Sequence, residues 1–251
     1  MTSNQFKTVS VLGYTVFSDD LSKIPIEGEK CRVINCSISP NNYGLAMKDA
    51  EFKNILRQTD FAVLDGVYFA LAGILLHGKN IKKNQGPEVY KHFITRLNET
   101  SGKAFFLGSS EKVLQRIKDR LAKEYPKISV DYFSPPFKKE FSDEDNDEMI
   151  DKINSFKPNV VFVGMTAPKQ EKWSVKHRDR INANLIISIG NVFDWYAETQ
   201  KAIHPFFFKI RMAWLVRIFL RPEIFKRNIG NQMLFFWHLG LIFLKLKKQP
   251  Q

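Results

Sequence analysis

The sequence predicts an α/β fold with a mostly parallel sheet flanked by helices, followed by a basic, amphipathic helical C-terminal appendage. Three observations predict it. Short apolar runs recur as far as Ile189, helical patterns fall between them, and beyond residue 200 the composition shifts to Lys, Arg and aromatic residues. Val9–Leu12 is the first strand candidate and Arg32–Cys36 the second. Leu45–Leu56 then reads as one amphipathic helix. Phe61–Leu64 is a short apolar strand, Val89–Leu97 a shorter helix, and Ala104–Leu107 the next strand. Between Glu111 and Glu124, Val113, Leu114, Ile117 and Leu121 mark one helical face. Ile128–Tyr132 is a strand. After it, Ser142 and Asp145 have the spacing of a capping box for a helix carrying Met149, Ile150, Ile153 and Phe156. Val160–Val163 and Leu185–Ile189 complete the strands, and the uniform apolarity of Val160–Val163 suits a buried strand of a parallel sheet.

The chain has 251 residues, enough for one large domain or a domain plus an appendage, and the division falls at residues 1–200 and 201–251. With 44% hydrophobic and 25% charged residues it is globular and not disordered. Its two cysteines, Cys31 and Cys36, are too few and too close for a disulfide framework and read as reduced thiols of a cytosolic protein. Neither they nor the five histidines have metal-site spacing, and the N-terminal residues lack the apolar core of a signal peptide. The D-x-D spacings of the acidic run Asp143–Glu148 open a helix and do not end a strand, so they read as a dipole-complementing first turn.

The net charge is +12, and residues 201–251 hold ten Lys or Arg against one acid, Glu223. That +9 is three quarters of the excess, interleaved with Phe, Trp and Leu. Such a segment suits nucleic acid or an anionic membrane surface. No nucleic-acid motif is present and the aromatics are packed into a dense apolar run, which favours the membrane. Asn228–Leu244, the longest uncharged run there, has 17 residues including Asn, Gln, His and two Gly, and Lys245, Lys247 and Lys248 follow it. It is marginal for a span and fits a helix lying on the surface.

Chemistry-bearing residues cluster at strand ends. Gly164 closes the Val160–Val163 run, and Pro168 suits a first helical turn, so Lys169, Gln170 and Glu171 sit near a helix N-terminus at the carboxyl end of a strand. Ligands of open α/β sheets bind there, and phosphates are favoured. Asp65 directly follows Phe61–Leu64 and is either a general base in that crevice or a turn residue before Gly66. Asn35 and Ser37 flank another strand exit, either as sugar or phosphate ligands or as a plain exit. Gly108-Ser109-Ser110 is a strand-to-helix turn able to take a phosphate or ribose. Asp194, in Gly190-Asn-Val-Phe-Asp194, is a ribose or sugar ligand or a helix-start Asp.

These segments occur in one order: the Asn35 segment, Asp65-Gly66, Phe106-Leu107-Gly108, Gly164-x-x-x-Pro168-Lys169-Gln170-Glu171-x-Trp173, Phe193-Asp194, and Trp214-x-x-Arg217 with Pro222. In that order they resemble the WecG/TagA/CpsF glycosyltransferases, glycosyltransferase family 26, over roughly residues 8–228. The resemblance implies a Rossmann-like core whose basic C-terminal appendage reaches the membrane and helps close the active site. It implies inverting transfer, without a bound metal or other cofactor, from a UDP-sugar to a polyprenyl-diphosphate-linked saccharide on the cytoplasmic membrane face, in teichoic acid, common antigen, capsule or exopolysaccharide synthesis. It implies Asp65 as the general base, Ser37 near a hydroxyl-bearing site position, and Gln170 on donor or acceptor. Gly164, Glu171 and Asp194 would shape the nucleotide site. Arg217 and Arg221, with Arg227 behind them, are candidates to stabilise the leaving diphosphate or to line the membrane face. The pattern departs from the family at Lys82–Glu88, Ala197-Glu198, Ile203-His204-Pro205, Ala213 and Arg221-Pro222. A non-catalytic binder of lipid-linked sugar is the other reading, and homo-oligomerisation is left open.

Overall fold

The computed structural model describes residues 6–28, 30–82, 84–199 and 222–248. Eight strands form one sheet: β1 (Thr8–Val11), β2 (Tyr14–Phe17), β3 (Arg32–Ile38), β4 (Phe61–Leu64), β5 (Lys103–Gly108), β6 (Ser129–Phe133), β7 (Val160–Gly164) and β8 (Leu185–Ser188). Their order is β1-β2-β4-β3-β8-β7-β5-β6, and every pairing is parallel except β1 with β2. The chain leaves β3 toward β4 on one side and reaches β8 from β7 on the other. β3 and β8 therefore meet at a topological switch point, and the crevice above their carboxyl ends is the expected ligand site.

The α/β expectation holds, with three differences. β2 is an additional strand. Leu12 (φ 52°) and Gly13 (φ 83°) form a two-residue turn that folds β2 back on β1, with Val11 opposite Tyr14. A leucine in the left-handed region gives no turn signal, so the first apolar run reads as continuing through Leu12. Second, the single helix expected over Leu45–Leu56 is two, α1 (Pro40–Ala46) and α2 (Ala50–Gln58). Ser39 caps α1 with Pro40 in its first turn. Asp49 caps α2 by accepting the Phe52 N–H at 2.9 Å, so a fresh cap interrupts the apolar period. Third, α3 (Tyr68–His77) is a helix of nearly continuous apolar sequence and shows no amphipathic period to read.

The remaining helices are α4 (Gly86–Glu99), α5 (Glu111–Glu124), α6 (Asp143–Phe156), α7 (Lys169–His177), α8 (Val192–Tyr196) and α9 (Pro222–Phe243). α4 extends beyond the Val89–Leu97 expected. The capping box of α6 forms as expected: Ser142 Oγ accepts the Asp145 N–H at 3.2 Å, and Asp145 Oδ2 accepts the Ser142 N–H at 2.9 Å. Pro168 sits one position earlier than a first-turn proline, at the N-cap of α7.

Alternation along the strands divides the core. Phe106, Phe162, Ile187 and Ile34 face α4, α5 and α8. Their neighbours Phe105, Val161, Ile186 and Val33 face α6 and α7. Over the β1-β2-β4 half, α1, α2, α3 and α9 cover the second face. α9 is embedded there: Phe235 is fully buried, 5.0 Å from the Phe69 ring and 5.6 Å from Tyr43. Asn231 is tied to Asn41 at 3.1 Å and to Lys48 at 2.8 Å, and Gly44 gives its backbone room. The boundary expected at residue 200 lies outside the described residues.

Candidate functional site

The crevice is built where the carboxyl ends of β3, β4, β7 and β8 converge. β3 carries Cys36 and Ser37 to its end, and the Asp65 N–H donates to Ile38 O at 2.9 Å, which sets Asp65 beside them. Asp65 is exposed at this rim. From the other side, the turn after β7 brings in the first residues of α7. Gln170 is buried; its Oε1 accepts the Met165 N–H at 3.2 Å, and its Nε2 donates to Glu171 Oε1 at 2.8 Å. Gln170 thus staples the strand-to-helix turn, and Gly190 (φ 52°) lies over its amide, where a Cβ would come within 3.5 Å.

Glu171 is fully buried. Burial pushes its carboxyl up to about 7; the hydrogen bond from Gln170 and the nearby Ser37 hydroxyl oppose the rise, and the Asp65 charge adds to it. Ser37 Oγ and Glu171 Oε2 have no hydrogen-bond partner of good geometry among the described residues. Cys36 completes the group: burial, then the charges of Asp65 and Glu171, raise its thiol well above the usual range, so it stays protonated. Two carboxylates, a hydroxyl and an amide thus share one corner of the crevice. One carboxylate is exposed and the other is buried and easily kept neutral.

The glycines shape the neighbouring wall. Gly108 (φ 106°) pairs in register with Gly164, and a Cβ on Gly108 would meet the Gly164 carbonyl at 2.6 Å. A Cβ on Gly164 would overlap the Phe193 ring. These positions let the ends of β5, β7 and α8 approach closely.

The other sequence candidates disperse. Asn35 lies deeper, fully buried in mid-strand, with its Nδ2 donating to Thr59 Oγ1 at 2.7 Å. Lys169 points to the β6–α6 loop, donating to Lys138 O at 2.6 Å and lying 4.0 Å from the centre of the Phe141 ring; burial lowers its pKa. Asp194 is half-buried and accepts the Thr199 hydroxyl at 3.0 Å, closing the end of α8. Arg217 and Arg221 lie outside the described residues, as do Ala213, Trp214 and the Ile203-His204-Pro205 segment. Arg227, on α9, is exposed. Two supports were missed by sequence reading. Asn42 holds the Ser37 carbonyl at 2.8 Å, and Trp173 Nε1 donates to Asn146 Oδ1 at 3.0 Å. The Ser39-Pro40 helix start could have flagged Asn42; nothing local marks Asn146. Among the described residues no cluster of three or more His, Cys, Asp or Glu is placed to hold a metal ion, and no helix is long and apolar enough to cross a membrane.

Residues 9–250 match the glycosyl transferase WecG/TagA/CpsF family. The chain is also similar to the N-acetylglucosaminyldiphosphoundecaprenol N-acetyl-beta-D-mannosaminyltransferase of Bacillus subtilis (strain 168). The two are 24% identical over 216 residues, which is 86% of this chain and 82% of that protein. The proteins of the same description from Bacillus spizizenii and Staphylococcus aureus (strain NCTC 8325) are each 24% identical to it. They cover 74% and 71% of the chain, and 70% and 68% of their own lengths.

Proposed function

The chain belongs to the WecG/TagA/CpsF glycosyltransferase family, and from that premise we propose that it moves a sugar from a UDP-sugar to a polyprenyl-diphosphate-linked saccharide during synthesis of a bacterial cell-surface polysaccharide. The observation that carries the reading is Asp65, exposed at the carboxyl end of β4 and grouped with Ser37 and Glu171 at the switch-point crevice. Its carboxylate takes the proton of the acceptor hydroxyl as that oxygen bonds to the anomeric carbon. The bond from that carbon to the UDP oxygen breaks on the opposite face, so configuration inverts. The departing diphosphate carries off the electron pair. Cationic side chains stabilise it, Arg217 and Arg221 being the candidates, and the step needs no metal or other cofactor. Gln170 and Glu171 serve by fixing the turn that forms one wall, and Gly108 and Gly164 by letting the ends of β5, β7 and α8 close up beside it. The relatives' description, transfer of N-acetylmannosamine to a diphosphoundecaprenol-linked N-acetylglucosamine, supports an acceptor of that class. We place the enzyme on the inner face of the plasma membrane, with residues 1–200 as the catalytic core and 201–251 as the membrane-associating segment.

The test is UDP release when a UDP-sugar panel is offered with a polyprenyl-diphosphate N-acetylglucosamine, with and without EDTA. Release that survives EDTA is expected with at least one donor; no turnover with any donor would sink the proposal. Asp65→Asn should lose about 10²- to 10⁴-fold in kcat while retaining UDP binding. Unchanged turnover would remove Asp65 as the base.

A further inference from the structure

α3 begins three residues after Asp65, and its outer side is apolar. Phe69, Ala70, Ala72 and Gly73 are buried, and Leu71, Ile74 and Leu75, one stripe at helical spacing, are 52%, 47% and 49% exposed. A helix that only covers a sheet carries polar residues on its outer side; from Tyr68 to Leu76, α3 has no charged residue. α9 runs beside it. The Phe236 ring meets Tyr68 edge-on at 5.3 Å, and Met233 and Trp237 are 60% and 65% exposed. The two stripes therefore join through the Tyr68–Phe236 contact into one apolar face. Single exposed apolar side chains are ordinary, but a joined face of this kind marks an interaction surface.

We propose that α3 and the outer side of α9 together form a surface that lies in the headgroup boundary of an anionic bilayer, with α3 fixing the depth of Asp65. This rests on the reading of the crevice given above. Charge identifies the occupant. From Gly66 through Lys82 the chain has no acid, and after Glu223 it has none to its end. Lys79 lies just past α3, Lys226 and Arg227 near the start of α9, and Lys245 and Lys248 beyond its end, all exposed. Leu246, 72% exposed, stands among these last lysines. Apolar side chains rimmed by cations match acyl chains beneath anionic headgroups. A second copy of the chain would set one basic rim against another, which opposes self-association. Leu71 lies about 5 Å along the axis from the start of α3. The apolar stripe thus begins close to Asp65, and on this proposal Asp65 lies near the headgroups, where the diphosphate of a lipid-linked acceptor also sits, so the acceptor's hydrocarbon chain need not leave the bilayer.

The test is co-sedimentation of the full chain with vesicles of phosphatidylglycerol and phosphatidylcholine, comparing wild type with the triple variant Leu71→Gln, Ile74→Gln, Leu75→Gln. Wild type should bind the mixed vesicles and leave pure phosphatidylcholine largely unbound. The variant, with unchanged circular dichroism and melting, should bind at least about tenfold more weakly. A nitroxide on Leu75→Cys should show raised oxygen accessibility on vesicles, which keeps the idea testable if the triple variant folds poorly. Equal vesicle binding by the folded variant, or a water-exposed nitroxide on bound protein, overturns the proposal. So does a wild-type dimer that the triple substitution dissociates with no change in vesicle binding. Turnover is read separately. The variant should raise KM for a long-chain acceptor and leave kcat on a short, water-soluble acceptor unchanged. Wild type that binds vesicles but transfers no sugar would reject the catalytic reading and leave this surface standing.

Discussion

Glu171→Gln isolates the energetic consequence of burying a carboxyl beside Asp65. In the folded protein the Glu171 carboxyl titrates at about 7, against 4.5 for the unperturbed group. A group whose folded pKa exceeds its unfolded one binds more protons when folded, so its contribution to stability falls as pH rises. The loss starts near the unfolded value, is complete just above the folded one, and amounts to roughly 3 kcal/mol. Most of that loss, roughly 2–3 kcal/mol, is expected between pH 5 and pH 8. A glutamine keeps the shape and can still accept from Gln170, but it cannot ionise. Urea unfolding of both proteins at several pH values reads the difference directly. The variant should gain on wild type by roughly 2–3 kcal/mol from pH 5 to pH 8, with the gain levelling off above neutrality. Parallel stability curves would be decisive against the reasoning. They would mean that Glu171 is already solvated or ion-paired in the fold, and that the site has no buried carboxyl.

Three further substitutions probe how the site is held. Gly164→Ala should destabilise by about 1–3 kcal/mol, because its methyl group overlaps the Phe193 ring and α8 must move; an unchanged melting temperature would show that Phe193 yields freely. Phe235→Ala should cost about 3–5 kcal/mol in a single cooperative transition, since the ring is fully buried against Tyr43 and Phe69. A cost near zero would mean that α9 is only loosely attached to the core. Gln170→Ala strips the Met165 N–H of its acceptor and Glu171 of its donor, and should cost about 1–3 kcal/mol with faster amide exchange at Met165. Exchange as slow as in wild type would show that the turn is held by other contacts.

The strands of the parallel sheet were legible because they are buried on both faces. Val160–Val163 is an unbroken apolar run, and Leu185–Ile189 is broken only by the buried Ser188, whose hydroxyl pairs with that of Ser174 at 3.0 Å. β2 and α3 were not legible, for opposite reasons. The turn before β2 places a leucine where glycine or asparagine would have announced it, and α3 lacks the polar outer side that gives a helix its period. The Pro168–Trp173 block was visible as a strand-to-helix turn, but its division of labour was not. Gln170 and Lys169 are neighbours in sequence, yet one turns inward to Met165 and Glu171 while the other reaches the loop after β6.

The sequence by itself determined which residues end strands and open helices, because apolar runs, caps and glycines act within a few residues of one another. It also determined the family, carried by short motifs in a fixed order. The tertiary structure alone decided that Ser37, Cys36, Asp65 and Glu171 share one corner, since β3, β4 and the start of α7 meet only through the strand order. It decided as well that Glu171 is buried deeply enough to hold a proton near neutrality, and that α9 packs into the core beside α3. Desolvation and long-range packing depend on what lies across the fold from a residue, and a linear sequence does not encode that neighbour locally.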